Sequence, residues 1–135
     1  MDLMVKRNTE NRGYIIKNRE ELIEVIKKYV AVFLPEDDDY AYEMFQEGNY
    51  DDLIDDLKLY QNDNINYFKA KNNNSTMIKE LIEKYENINK IFMLLGEVEK
   101  LNGLNEIANK LEDFNDLFGK VDYNVYFFPK IGRRH

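Results

Sequence analysis

Residues 35–57 read PEDDDYAYEMFQEGNYDDLIDDL and contain ten carboxylates but no lysine or arginine. The carboxylates are Glu36, Asp37, Asp38, Asp39, Glu43, Glu47, Asp51, Asp52, Asp55 and Asp56. The whole chain has 26 acidic and 19 basic residues, which leaves 16 acidic and 19 basic residues outside this stretch. The stretch therefore has a charge of −10 and the remainder has a charge of +3. This segregation is the strongest functional signal in the sequence.

The same stretch predicts two helices whose carboxylates face outward. Asp37 or Asp38 can cap the first helix, and Gly48 suits its end. Asn49, with Asp52 three residues later, predicts the start of the second helix. The inward-facing residues are then Ala41, Met44 and Phe45 in the first helix and Leu53, Ile54, Leu57 and Tyr60 in the second. Carboxylates four residues apart form rows on the outer faces: Asp39–Glu43–Glu47, Asp51–Asp55 and Asp52–Asp56.

Three further helices are predicted outside the acidic stretch. Asn18 and Glu21 form a capping-box pattern that opens a helix ending before Pro35, although the β-rich end at 30–34 could be extended. Ser75 is the predicted N-cap of the longest helix, over about residues 76–101, which Gly96 could interrupt and Gly103 ends. Another helix follows over about 104–118, ended by Gly119.

Short strands are predicted at 13–17, 65–70 and 121–128, and residues 61–66 are predicted to be a loop. The expected fold class is α+β and predominantly helical. It comprises four to five helices and a small two- to three-stranded antiparallel sheet formed by segments near the termini. A length of 135 residues fits a single compact domain, 1–135, in which 1–12 and 130–135 are expected to be flexible.

Composition argues against several kinds of catalysis. The chain has no cysteine, its one histidine is His135, and its one serine is Ser75. These residues offer no material for a thiolate site or for a nucleophile–base pair, and no glycine-rich phosphate loop is present. We therefore expect no enzyme activity, no catalytic residues and no cofactor.

A carboxylate-held divalent metal is the remaining route to an enzyme. Asn62, Asn64 and Asn66 have EF-hand ligand spacing, but Tyr67 replaces the glycine and Asn73 replaces the glutamate of that loop. Asp56-Leu57-Lys58 matches a restriction-nuclease tripeptide, although it lies in a helical pattern rather than in a strand. A metal-dependent enzyme is therefore the weakest alternative, and no metal ligand is predicted.

The charge balance favours a basic protein as the partner. A net charge of −7 works against binding nucleic acid or an anionic membrane, since both are themselves negative. The longest apolar run, residues 29–34, is far too short to span a membrane. No apolar segment typical of a secretory signal occurs in the first twelve residues, so we expect a cytoplasmic protein.

The acidic stretch has two interpretations, a solvated face that aids solubility and a recognition surface. Like charges four residues apart destabilise a helix by roughly 0.2–0.5 kcal/mol per pair, and a solubilising face avoids that cost by mixing signs. Five of the ten tyrosines also lie in or just after the stretch, at positions 40, 42, 50, 60 and 67. Tyrosine among carboxylates is typical of protein-binding patches, and Tyr42 and Tyr50 are the predicted anchors.

In size, acidity and lack of cysteine the chain is similar to the small proteins of phages and mobile elements that inhibit restriction enzymes or CRISPR nucleases. Within each row, successive carboxylates lie about 6 Å apart along the helix axis. This spacing is comparable in scale with the roughly 3.4 Å between charges on one DNA strand. The leading hypothesis is thus a nucleic-acid mimic that occludes the basic surface of a nuclease or similar enzyme in the host cytoplasm. The alternative within this class is an immunity protein that neutralises a basic nuclease toxin, and gene neighbourhood would separate the two.

The longest helix also has a heptad-like seam. It comprises Ile78, Leu81, Tyr85, Ile88, Phe92 and Leu95. Such a seam either faces the core of a monomer or forms a homodimer through the Ile78–Leu95 helix, and the first interpretation is favoured.

Overall fold

The computed structural model describes residues 2–5, 14–121 and 130–132, and the fold is predominantly helical, as predicted. The helices are α1 (Arg19–Val30), α2 (Asp39–Glu47), α3 (Tyr50–Lys71), α4 (Ser75–Glu99), α5 (Leu104–Ala108) and α6 (Leu111–Lys120). A 3-10 turn over Ala31–Phe33 extends α1 toward Pro35, so the β-rich end of this segment remains helical.

The predicted starts of α1 and α2 are confirmed. The Asn18 side chain accepts a hydrogen bond from the Glu21 backbone N–H at 2.9 Å, and Asp38 Oδ1 accepts one from Ala41 at 3.0 Å. Each contact satisfies a backbone donor that has no partner within its helix. Gly48 ends α2 with φ of 77°, a left-handed conformation that glycine adopts without a steric penalty.

The loop at 61–66 and the strand at 65–70 were wrong predictions, because α3 continues unbroken to Lys71. Neither proline nor glycine interrupts this segment, and two of its polar side chains, those of Gln61 and Asn64, find partners on α4. The N-cap of α4 is Asn74 rather than Ser75, since the Asn74 side chain accepts from the N–H groups of Thr76 and Met77, each at 3.1 Å.

Gly96 does not interrupt α4. A Cβ at this position would lie 3.3 Å from Cδ2 of Tyr50, so the missing side chain makes room for that ring. The end of α4 is held by Arg19, which donates hydrogen bonds to the backbone carbonyls of Glu99 and Leu101. The helix predicted over 104–118 is divided into α5 and α6, and Gly119 lies in the last turn of α6 instead of ending it.

Three short strands occur in the described residues: β1 (Asp2–Val5), β2 (Tyr14–Ile16) and β3 (Lys130–Gly132). They pair antiparallel in the order β2-β1-β3, with Leu3 opposite both Ile16 and Ile131. β1 and β3 fall within the segments expected to be flexible. The strand predicted at 121–128 is not seen at Val121, which follows the end of α6, and residues 122–128 lie outside the described residues.

The core lies where α1, α2, α3, α4 and α6 meet. Its largest fully buried side chains are Ile16, Leu22, Ile26, Tyr29, Leu53, Leu57, Ile91, Phe92, Leu95, Phe114 and Phe118. Aromatic contacts join the helices, with ring centroids of Phe45 and Phe92 6.0 Å apart and those of Phe33 and Phe118 5.6 Å apart. The Phe45–Phe92 contact attaches α2, which carries Asp39, Glu43 and Glu47, to α4.

Candidate functional site

The carboxylates of residues 36–56, here called the acidic corner, lie on α2, on the first turns of α3 and on the segment before α2. Eight are exposed to solvent: Glu36, Asp37, Asp39, Glu43, Glu47, Asp51, Asp52 and Asp55. Within the described residues none of the eight forms an ion pair. Their negative charge is therefore uncompensated at the protein surface, which is the condition for steering a positively charged partner.

Apolar residues on the inner side fix the two helices of the acidic corner. Ala41, Met44 and Phe45 of α2 are buried, as are Leu53, Ile54 and Leu57 of α3. These inward positions agree with the sequence prediction, so the carboxylates are displayed on folded helices rather than on a tail. The start of α3 is held by a side-chain contact in which Asn49 Nδ2 donates to Asp52 Oδ2 at 2.7 Å.

The exposure of the tyrosine side chains near the acidic corner differs from the prediction. Tyr42, a predicted anchor, is 52% exposed, and Tyr40 is 48% exposed. Tyr60, predicted to face inward, is 44% exposed because Gln61 takes the buried position next to it. Tyr60 is therefore a surface aromatic, although the apolar pattern of the sequence predicted that it faces inward.

Tyr50, the second predicted anchor, is a core residue, which corrects its assignment to the partner-binding surface. Its side chain is only 6% exposed, because the ring packs against Gly96 and makes an edge contact with Phe45 at 6.2 Å between centroids. Burial and then the neighbouring Glu99 carboxylate raise the pKa of Tyr50 far above its ordinary value. The ring thus joins α3 to α4 beneath the acidic corner and is not available to a partner at the surface.

Glu99 of α4 is also held from the side of α1. Lys27 Nζ lies 3.9 Å from Glu99 Oε1 and 5.1 Å from the centroid of the Phe45 ring. A cation beside a carboxylate and above an aromatic face is stabilised by both. Lys27 and Glu99 therefore neutralise each other beneath the acidic corner, whereas the carboxylates on its outer side are uncompensated.

Two of the ten carboxylates, Asp38 and Asp56, are half-buried and face one another between the start of α2 and α3. Asp56 Oδ2 is buried, and among the described residues no N–H or O–H donor reaches it. Two ionised carboxylates accept but do not donate, so a hydrogen bond between Asp56 and Asp38 requires a proton on one of them. This hydrogen bond to Asp38, then partial burial, then the charge of Asp38 raise the pKa of Asp56 to about 6.

An open depression of about 460 Å³ adjoins this carboxyl pair. It is lined by Pro35, Glu36, Asp37, Asp38 and Tyr60. The lining combines carboxylates with one exposed aromatic ring, a surface that fits the end of a basic side chain.

Replacing Asp56 with asparagine is expected to stabilise the protein above pH 6 and to have a smaller effect near about pH 4. As the pH rises, the unfolded state releases the Asp56 proton near its ordinary value of 3.8, whereas the folded state retains it to about 6. The wild-type free energy of unfolding therefore falls across this window and stays low above it. An asparagine amide can donate to Asp38 at every pH, so the fall should disappear.

Urea denaturation across the same pH range measures this effect. Asp55→Asn is the control, because it removes the same charge from an exposed position one residue away. Identical pH dependence of stability in the two variants would show that Asp56 is not part of a carboxyl pair.

Within the described residues, no group of three or more acidic or histidine side chains is placed to hold a metal ion. The Asp56-Leu57-Lys58 tripeptide lies within α3, as its helical pattern predicted.

None of the described helices combines the length and the apolar character needed to cross a membrane. Comparison of the chain with protein-family models, curated proteins and solved structures gives no match.

Proposed function

We propose that the protein is a non-enzymatic inhibitor whose acidic corner binds the basic, nucleic-acid-binding surface of another protein, such as a nuclease, and occludes it. The observation that supports this proposal is the set of eight exposed carboxylates, none of which forms an ion pair within the described residues. Six of them lie on two helices that the core holds in place, and Glu36 and Asp37 lie just before α2. Uncompensated charge on a rigid surface is suited to competing with a phosphate backbone, whose charges are also fixed in space.

The arrangement of charge favours recognition over solubility. Like charges at Asp39/Glu43 and at Asp51/Asp55 oppose helix formation by roughly 0.2–0.5 kcal/mol per pair. No lysine or arginine between residues 35 and 57 relieves this repulsion, although 19 basic residues occur elsewhere in the chain. A basic partner would relieve it on binding, so the repulsion in the free protein adds to the driving force for association.

The exposed tyrosines provide apolar contact area beside the charges. Tyr42 lies on α2 next to Glu43, and Tyr60 lines the depression beside Asp38. In this proposal the carboxylates steer the partner, a partner lysine or arginine enters the depression, and Tyr42 and Tyr60 pack against the apolar parts of the basic side chains. In this proposal Tyr50 does not contact the partner, and its role is to hold α3 against α4 in the core.

A charge-matched pair of variants tests the proposal. The corner variant combines Glu43→Gln, Asp51→Asn, Asp52→Asn and Asp55→Asn. The control variant combines Glu97→Gln, Glu112→Gln, Asp113→Asn and Asp116→Asn, all exposed and all outside the acidic corner. Both remove four negative charges, so any general effect of net charge is the same in the two proteins.

The wild-type protein is used to capture a basic partner from a host lysate at low salt, and nucleic-acid binding by that partner is then titrated with each variant. We expect the corner variant to lose affinity for the partner by about tenfold or more, the control variant to inhibit like wild type, and the complex to weaken at high salt. Equal inhibition by the corner and control variants would rule the proposal out.

A further inference from the structure

The α3–α4 pair extends beyond the core of the molecule. The last core residue on α3 is Gln61 and the first on α4 is Ile88. Residues 62–87, here called the distal hairpin, still contain five half-buried apolar side chains that belong neither to the core nor to the groups packed against it. These are Ile65, Phe68, Ile78, Leu81 and Ile82. These side chains are therefore only partly sheltered from water.

A polar layer separates the distal hairpin from the core and aligns its two helices. Gln61 and Asn89 exchange two amide hydrogen bonds of 2.8 and 3.0 Å. One turn farther out, Asn64 Nδ2 donates to the Tyr85 hydroxyl at 3.0 Å. The apolar residues beyond this layer are therefore held in register but lie outside the packed interior.

The heptad-like seam of α4 is consequently split into two parts. Its C-terminal part, Ile88, Phe92 and Leu95, is buried in the core, so the seam cannot form a dimer interface over its whole length. Its N-terminal part, including Ile78 and Leu81, remains half-buried. The neighbouring Tyr67 and Met77 are 67% and 46% exposed, which extends the apolar surface around the tip.

Charge along the distal hairpin is self-complementary. Toward the tip, residues 67–80 contain Lys69, Lys71, Lys79 and Glu80, a net charge of +2. Toward the core, residues 62–66 and 81–87 contain Asp63, Glu83, Glu86 and Lys84, a net charge of −2. Two hairpins lying side by side and antiparallel would place each positive half against a negative half, as a two-fold axis requires.

We propose that two copies of the chain associate through their distal hairpins, antiparallel about a two-fold axis, and bury the half-exposed apolar side chains in a four-helix interface. The acidic corner lies at the other end of α3 and stays outside this interface. The proposal therefore does not depend on the proposed function, and each can fail alone.

Light scattering coupled to gel filtration tests the association in the full chain. We expect a mass of twice the 16.2 kDa of one chain at micromolar concentration. The double variant Lys69→Glu/Lys71→Glu places negative charge against negative charge and should raise the dimer Kd by about tenfold. Adding Glu83→Lys/Glu86→Lys to that variant reverses the opposite half and should restore the dimer.

Leu59→Ser is the matched control, because Leu59 is an exposed apolar residue of α3, 68% accessible, that lies outside the distal hairpin. It should leave the dimer unchanged. A monomeric mass for the wild-type chain would overturn the proposal, and so would a dimer whose Kd is insensitive to the charge reversal. Circular dichroism on each variant confirms that lost association is not lost folding.

Discussion

Replacing Phe92 with alanine is expected to lower the free energy of unfolding by about 3–5 kcal/mol, the range typical of removing a buried phenylalanine. Phe92 is 0% exposed and lies near the centre of the helix contacts. Its ring meets that of Phe45 nearly at right angles, with 6.0 Å between centroids. The substitution therefore removes both buried area and an aromatic contact that joins α4 to α2.

Met93→Ala is the control for this substitution, since Met93 is the adjacent residue of the same helix and is 55% exposed. Its effect should stay within about 0.5 kcal/mol. Urea denaturation followed by circular dichroism measures both variants. Equal destabilisation by the two substitutions would mean that Phe92 does not lie in the core as described.

The Phe92 substitution also bears on the candidate site. Phe45 is one of three buried residues that hold α2 against the rest of the molecule. A cavity at Phe92 removes the surface on which Phe45 rests, so backbone amides of α2 should exchange hydrogen faster in Phe92→Ala than in Met93→Ala. The carboxylates of the acidic corner would then no longer be fixed relative to those on α3.

Local signals in the sequence were sufficient to predict where α1 and α2 begin and where α2 ends. Asn18, Asp38 and Gly48 act through contacts within four residues of themselves, so no knowledge of the tertiary structure is needed to interpret them. The buried residues beneath the acidic corner were also predictable from the sequence, because Leu53, Ile54 and Leu57 recur at helical spacing.

The distal part of α3 was not predictable in this way. The run QNDNIN at 61–66 has the composition of a loop, and its helical state depends on partners more than twenty residues away in the sequence. Gln61 is buried only because Asn89 satisfies its amide, a pairing that no local pattern reveals. Tertiary contacts overrode propensity here, and the strand prediction at 65–70 failed for the same reason.

For the candidate site, the sequence predicted outward-facing carboxylates, which is right for eight of the ten but wrong for the half-buried Asp38 and Asp56. It did not indicate which tyrosines are exposed. Tyr50 and Tyr60 occupy opposite environments, although each lies three residues from a buried leucine of α3, Leu53 or Leu57. The burial of Tyr50 depends on the gap at Gly96 of another helix, and the exposure of Tyr60 follows from the burial of Gln61. The pairing of Asp38 with Asp56 likewise depends on how α2 packs against α3, which spacing alone does not give.

Replacing Asn89 with leucine is expected to destabilise the protein by about 1–3 kcal/mol, the usual cost of leaving a buried polar group without a partner. Gln61 is 5% exposed, so water cannot take the place of the Asn89 amide. Gln61→Leu should cost less, because the Asn89 that it leaves behind is only half-buried and can bind water. The double variant replaces the polar pair by apolar side chains and should be close to wild type in stability.

A double-mutant cycle in urea measures this coupling, and the two single costs should exceed the cost of the double variant by at least about 1 kcal/mol. Asn66→Leu, at an exposed position of α3, controls for the effect of adding a leucine to the same helix. Additive costs around the cycle would mean that Gln61 and Asn89 do not form the reciprocal pair. If Gln61 and Asn89 form this pair, the double variant also loses the polar layer that fixes the register of α3 against α4. Association through the distal hairpin should then become less specific, although the fold is retained.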